Sequence, residues 1–127
     1  MNSRSGRFFV IAAAAAMLSA TAFAGHKSSQ NVVINTGSRF ANGDTGHVHN
    51  SSDTVQYIMC RSFGTSGSCY ARNKDDVSRS CSTTSSSMLN TIRSINSESY
   101  VYFQWDADGN CTAITVENGS VARPKEH

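Results

Sequence analysis

Four cysteines constrain the fold of this chain more than any other feature of its sequence. Cys60, Cys69, Cys81 and Cys111 have 8, 11 and 29 residues between successive members. Zinc modules commonly use cysteines that are paired at much closer spacing. An even number of cysteines without that spacing is typical of a disulfide-bonded domain. The sequence therefore predicts two bridges, each stabilising the fold by about 2–4 kcal/mol, and no metal site.

The sequence between the first two cysteines favours one pairing. Four cysteines permit three connectivities. Residues 64–67 read Gly-Thr-Ser-Gly, a composition typical of a tight turn that would place Cys60 opposite Cys69 across a hairpin. The favoured pairing is therefore Cys60–Cys69 with Cys81–Cys111. The pairing Cys69–Cys81 with Cys60–Cys111 stays open as the alternative.

Residues 1–24 have the three parts of a secretory signal peptide. Arg4 and Arg7 form a basic region, residues 8–18 are apolar, and residues 22–24 read Ala-Phe-Ala, a small-x-small cleavage site. We expect cleavage after Ala24, which leaves a single small domain over residues 25–127. The expected location is secreted or periplasmic, in a bacterium, where disulfide bonds form and persist.

The charge balance argues against a nucleic-acid partner. The chain has 11 Lys and Arg against 9 Asp and Glu, and without Arg4 and Arg7 both counts are 9. A neutral surface lacks the cluster of basic residues that neutralises phosphates. After Ala24 there is no further apolar run long enough to span a bilayer. We therefore expect no nucleic acid and no membrane span.

Hydrophobic periodicity predicts mainly strands. Residues 25–53 are rich in Ser, Asn, Gly and His, and their single β-branched run at Val32 predicts one short strand in a long loop. Alternation from Thr54 onward, followed by segments 68–72 and 77–82, predicts a three-stranded meander. Met88, Leu89, Ile92 and Ile95 then form one helical stripe over residues 85–96, after a run of hydroxyl residues.

The strongest strand prediction covers Ser99–Trp105. Val101, Phe103 and Trp105 share one face, while Tyr100, Tyr102 and Gln104 share the other. Residues 106–110 predict a hairpin turn and residues 111–117 the return strand. This order of elements predicts an α+β, mostly β fold stapled by disulfides. Two architectures fit it: an OB-like barrel, or an antiparallel sheet with one short covering helix.

Five segments carry a resemblance to a known group: residues 69–72, 79–81, 94–106, 109–112 and 123–125. They resemble a group of small secreted proteins of Gram-negative bacteria that have no assigned activity, and this resemblance implies export. The order of an early strand, a cysteine-bracketed hairpin, a helix and late strands is also loosely similar to the OB-fold B subunits of bacterial AB-type toxins. That similarity implies glycan binding as a hypothesis, since fold alone does not give function.

Three short motifs are compatible with chemistry, but a plainer interpretation fits each better. Asp44-Thr45-Gly46 matches aspartic proteases, yet its polar flanks predict a turn. His47 and His49 lack a third metal ligand and are expected to be solvated loop residues. The Asp106–Asn110 segment resembles a calcium loop, but its glycine is at the fourth position, whereas an EF-hand loop has glycine at the sixth. A tight turn explains the same residues. We predict no catalytic residues, no metal and no cofactor.

An aromatic surface is the remaining candidate site. Tyr100 and Tyr102 are expected to face outward, and Tyr57 or Tyr70 to join them from the meander. Rings with hydroxyl tips suit a glycan or a protein partner, although they would also suit packing under the N-terminal segment. The predicted function is a binding module, with an inhibitor of a secreted enzyme or a small hydrolase as alternatives. An inhibitor would need a rigid protruding loop, for which residues 61–68 are the candidate.

Overall fold

The computed structural model describes residues 28–121, 124 and 126. The expected signal peptide lies outside these residues. Seven strands and two helices occur in the described part, in the order β1 Val33–Asn35, β2 Phe40–Asp44, α1 Thr45–Asn50, β3 Tyr57–Phe63, β4 Ser66–Arg72, β5 Ser78–Thr83, α2 Ser86–Arg93, β6 Ser99–Trp105 and β7 Cys111–Asn118. Neither helix is long and apolar enough to cross a membrane.

The strands form two antiparallel sheets. The four-stranded sheet has the order β1-β2-β6-β7, and the three-stranded sheet has the order β3-β4-β5. The mostly β, α+β, disulfide-bonded fold class is therefore confirmed. Of the two expected architectures, the described strands adopt neither a closed barrel nor one sheet, but two open sheets.

One core lies between the inner faces of the two sheets. The four-stranded sheet contributes Ala41, Val101 and Phe103, all fully buried, and the three-stranded sheet contributes Ile58 and Ala71. Helix α2 adds Leu89 and Ile92, the centre of the predicted stripe, to the same core. The helix begins after Ser85, whose side chain accepts a hydrogen bond from the Met88 amide. It is shorter at its C-terminal end than the periodicity predicts.

Both disulfides agree with the favoured pairing. Cys60 is bonded to Cys69, its direct partner in the β3–β4 register. Cys81 of β5 is bonded to Cys111 of β7, which joins the two sheets covalently. The described residues contain no free cysteine. The two bridges therefore have different roles, one within a sheet and one between sheets.

The short strand expected at Val32 corresponds to β1, but the long loop expected over the rest of residues 25–53 is wrong for the described residues, which form β2 and α1. The fold therefore has a second helix and an additional central strand. The sequence pattern does not predict strand β2, because the residues that this strand places against the core are small. Ala41 lies opposite Phe103 and Gly43 opposite Val101, and a Cβ on Gly43 would lie 3.4 Å from Val32 and 3.5 Å from Ile58. Close packing, rather than β propensity, selects these residues.

Candidate binding surfaces

The four predicted tyrosines lie on two different surfaces. Tyr100 and Tyr102 are on the outer face of the four-stranded sheet, opposite the buried Val101 and Phe103. Tyr57 and Tyr70 are on the outer face of the three-stranded sheet, where the register leaves them close together. Because the inner faces of both sheets share one core, the outer faces point away from each other. The structure therefore does not bring the four tyrosines into one platform.

Strand β3 presents large side chains to solvent at every second residue. Tyr57, Met59 and Phe63 are 39%, 43% and 54% exposed, and Arg61 between them is also exposed. Ile58 on the opposite face of the same strand is buried, as a period of two requires. With Tyr70 of β4, which pairs with Met59, these side chains form what we call the aromatic–arginine face.

Arg61 is held in place by the two rings beside it. Its guanidinium carbon is 4.9 Å from the ring centroid of Tyr70 and 5.9 Å from that of Phe63. Its Nη2 donates a hydrogen bond of 2.8 Å to the Tyr70 hydroxyl. Within the described part of the chain, Arg61 forms no ion pair. These contacts therefore restrain the orientation of the guanidinium at the surface.

The same contact changes the acidity of Tyr70. The hydrogen bond from Arg61 is the main cause that holds the Tyr70 pKa below its usual value of 10.0, and a hydrogen bond with Ser68 acts in the same direction. Both contacts favour the tyrosinate, since they stabilise negative charge on the phenol oxygen.

A shallow depression marks the centre of the aromatic–arginine face. It has a volume of about 220 Å³ and is lined by Tyr57, Met59, Arg61 and Tyr70. On the far side of Tyr70 the face becomes polar, because Ser80 and Ser78 of β5 lie opposite Tyr70 and Arg72. The depression therefore has an apolar and cationic half on β3 and a hydroxyl-rich border on β5.

The other pair of tyrosines lies in a different environment. Tyr102 stacks on Phe40 of the neighbouring strand, with ring centroids 5.6 Å apart. Tyr100 is half-buried and lies in one cross-strand row between Asp44 and Glu117. Burial is the main cause that raises the Tyr100 pKa above 10.0, and the negative charges of Glu117 and Asp44 add to it. This row is therefore an acidic, partly covered site rather than an open platform.

The sequence-based prediction for Asp44 is wrong. The residue does not lie in an exposed turn but ends β2, and it is only 1% exposed. Residues 28–30 cover it: Ser28 Oγ donates to its Oδ2, and the Gln30 amide donates to the same oxygen at 2.7 Å. The sequence offers no local signal for this, because the covering residues lie more than a dozen positions away.

The remaining motifs do not form metal sites in the described residues. His47 and His49 lie in helix α1 and not in a loop. In a helix, side chains two positions apart are rotated by about 200° around the axis, so these two point to different sides. His47 Nε2 instead lies 3.0 Å from Asn31 Oδ1.

The Asp106 carboxylate accepts hydrogen bonds from the backbone amides of Asp108 and Asn110. The hydrogen bond from the Asn110 amide is the main cause that lowers the Asp106 pKa. That segment is the tight turn that its composition predicts.

Residues 61–68, the candidate inhibitor loop, form a hairpin, because most of them belong to β3 and β4. Only Gly64 and Thr65 form the turn, and Gly64 has a positive φ of 63°, as the first central residue of a type II′ hairpin turn does.

Comparison of the chain with protein-family models, with curated proteins and with solved structures found no match.

Proposed function

We propose that the protein is an exported binding module that holds a protein partner on the aromatic–arginine face. The observation that carries the proposal is the pre-positioned Arg61 guanidinium, stacked on Tyr70 and bordered by exposed Phe63 and Met59. Aromatic residues, Met and Arg are the side chains enriched at the centres of protein interfaces, and Arg and Tyr are frequent among the residues that dominate binding energy. The two disulfides support the export part of the proposal.

The chemistry of the face defines the partner. Its apolar side chains need an apolar counterpart, and the guanidinium N–H groups of Arg61 that do not bond Tyr70 need an acceptor. A carboxylate is the best match, since Arg binds it through two parallel hydrogen bonds. The partner segment should therefore present one or two apolar side chains next to an Asp or Glu.

The size of the face limits the kind of contact. Strands β3 and β4 have seven residues and β5 has six, so the sheet is about 23 Å long and about 14 Å wide, a flat area of about 300 Å². A standard protein interface buries about 800 Å² on each partner. The face is therefore large enough for a short segment of a partner protein, and not for a full-sized flat interface.

Selection from a random peptide library displayed on phage tests this proposal. Peptides enriched on the wild-type protein should contain apolar residues beside an acidic one. Their binding to the purified protein should weaken at least tenfold in Arg61→Ala and in Phe63→Ala, because each substitution removes a central contact of the face. The measurement is a fluorescence-anisotropy titration with the enriched peptide.

Two matched variants serve as controls. Arg79→Ala removes another exposed arginine, and Val33→Ala trims an exposed apolar side chain on the other sheet; neither should change peptide affinity. Failure to enrich any peptide, or equal binding by all four variants, would contradict the proposal. A glycan array provides the competing outcome: glycans bound by wild type and lost in Arg61→Ala would replace the protein partner with a sugar.

A further inference from the structure

Strand β3 lies at one edge of the three-stranded sheet and is paired on one side only. The sheet has the order β3-β4-β5, so β4 occupies one side of β3 and no described strand occupies the other. Strand β5, at the opposite edge, is tied to the other sheet by the Ser82–Asn110 bridge and by the Cys81–Cys111 disulfide. Within the described part of the chain, β3 is therefore a seven-residue strand with one unpaired side.

The hairpin register shows which backbone groups lie on the unpaired side. A two-residue turn joins β3 to β4, so Phe63 and Ser66 are the hydrogen-bonded pair that closes the hairpin. Hydrogen-bonded and non-hydrogen-bonded pairs alternate from there, which makes Cys60 and Cys69 a non-hydrogen-bonded pair. Their Cα atoms are 4.0 Å apart, the shorter of the two spacings found in antiparallel sheets. Cys60 therefore directs its backbone N–H and C=O groups away from β4.

The same alternation applies to Ile58 and Ser62. No backbone group of the described residues bonds to the outward N–H and C=O groups of these residues or of Cys60. Ser62 is exposed, so the edge is open at this end. At the other end, Ile58 and Tyr57 line an open cavity of about 420 Å³. Unpaired groups along an accessible edge are a template for a further strand.

The charge beside this edge selects its occupant. A second copy of the chain, paired antiparallel around Cys60, would bring the two Arg61 side chains to diagonal positions about 7–8 Å apart, where like charges repel. A partner segment with a carboxylate opposite Arg61 instead forms a charge-assisted hydrogen bond. Charge complementarity therefore favours a different protein over a second copy.

We propose that a partner segment binds as an antiparallel fourth strand on the unpaired side of β3, with an acidic side chain opposite Arg61 and apolar side chains opposite Met59 and Phe63. This inference rests on the proposed protein-binding function and adds the way in which the segment is held. In this mode of recognition, main-chain hydrogen bonds supply affinity and alternate side chains supply specificity. A segment of about five residues spans the edge from Ile58 to Ser62.

The heptapeptide Ac-Ser-Ile-Thr-Glu-Thr-Ile-Ser-NH₂ is a suitable probe, because both Ile side chains and the Glu side chain share one face of a strand. We expect it to shift the ¹H–¹⁵N NMR signals of Cys60 and Ser62 in a saturable titration and to slow hydrogen exchange at both amides. N-methylation of the Thr that follows Glu removes an N–H group that faces β3, and should weaken binding at least tenfold. N-methylation of Glu is the matched control, because its N–H faces away, and should change affinity by less than about twofold.

Protein variants test the same hydrogen bonds from the other side. Ser62→Pro removes an N–H group that β4 does not use, and should weaken the heptapeptide at least tenfold. Ser62→Ala keeps that N–H group and should bind like wild type. If Ser62→Pro fails to fold, the two methylated peptides still decide the question.

Three results would each overturn the added strand: equal binding of the two methylated peptides, no shift at the Cys60 and Ser62 amides, or a dimer in analytical ultracentrifugation whose β3 amides are already protected from exchange. Equal binding of the methylated peptides that still weakens in Arg61→Ala would leave the protein-binding face in place. Peptides selected on phage whose binding is unchanged in Arg61→Ala would contradict the face itself, so the two failures are distinguishable.

Discussion

Arg61 and Tyr70 show how one contact sets both the shape and the acidity of a surface. The arginine donates to the phenol oxygen and stacks on its ring, and these contacts lower the Tyr70 pKa. Removing the guanidinium in Arg61→Ala should therefore raise the Tyr70 pKa toward 10.0. The absorbance of tyrosinate, followed as a function of pH, measures this change.

Tyr70→Phe identifies the component of that titration that belongs to Tyr70. In the wild-type protein this component should titrate below the usual tyrosine pKa of 10.0, and it should be absent in Tyr70→Phe. Arg79→Ala, which removes an arginine that donates only to the carbonyl of Ser78, should leave the titration unchanged. A titration that is identical in Arg61→Ala and wild type would show that the guanidinium does not contact the phenol in solution.

Some residues of both surfaces follow from the sequence and others do not. Alternation along Ser99–Trp105 and from Thr54 onward predicts that the four tyrosines face away from the core, because side chains in a strand alternate strictly. It does not predict which sheet each strand joins. Asp44 is a harder case, since its burial depends on hydrogen bonds from Ser28 and Gln30 that no local pattern specifies.

At the scale of elements, Gly67 fixes the distance between β4 and helix α2. A Cβ at this position would lie 2.8 Å from Leu89 Cδ2, 3.0 Å from Ile92 Cδ1 and 3.0 Å from the Arg61 carbonyl oxygen. The two side chains are buried and the third neighbour is backbone, so none of them can move freely. Gly67→Ala should therefore lower the free energy of unfolding by about 1–3 kcal/mol, as other overpacked cores do. Urea unfolding followed by circular dichroism measures this.

Gly37→Ala is the matched control for that substitution. A Cβ at Gly37 would meet only Asn35 Oδ1, at 3.5 Å, which is ordinary contact. The added methyl group should leave stability unchanged or raise it by up to about 1 kcal/mol, because it restricts the unfolded chain. Equal stability of Gly67→Ala and wild type would mean that α2 does not pack this closely on β4.

The elements differ in how clearly the sequence predicts them, and packing explains the difference. Strand β6 is predicted with its observed bounds, because its apolar side chains face the core at every second residue. Strand β2 is missed, because a strand that packs under Phe103 and Val101 has space only for Ala41 and Gly43. Small residues carry no hydrophobic signal, so a central strand of this kind is read as a loop.

At the scale of the whole molecule, the two disulfides constrain the unfolded chain to different extents. Cys60 and Cys69 are 9 residues apart within one hairpin, whereas Cys81 and Cys111 are 30 residues apart and join the two sheets. In the chain-entropy model the longer loop contributes about 1 kcal/mol more, from the logarithm of the ratio of the two lengths. The seven-pair register of β3 and β4 also holds the first pair together without a bond, while beside the second pair there is only an isolated bridge between Ser82 and Asn110.

The double variant Cys81→Ala with Cys111→Ala should therefore be less stable than Cys60→Ala with Cys69→Ala by about 1 kcal/mol. Each variant removes two sulfurs and leaves no free thiol, so thiol exchange does not complicate the comparison. Urea unfolding followed by Trp105 fluorescence gives the free energy of unfolding of each variant. Trp105 is the only tryptophan in the chain, and it packs against the core. Equal losses, or a larger loss in the hairpin variant, would contradict this order. The bridge between the sheets would then contribute no more to stability than the bridge within the hairpin.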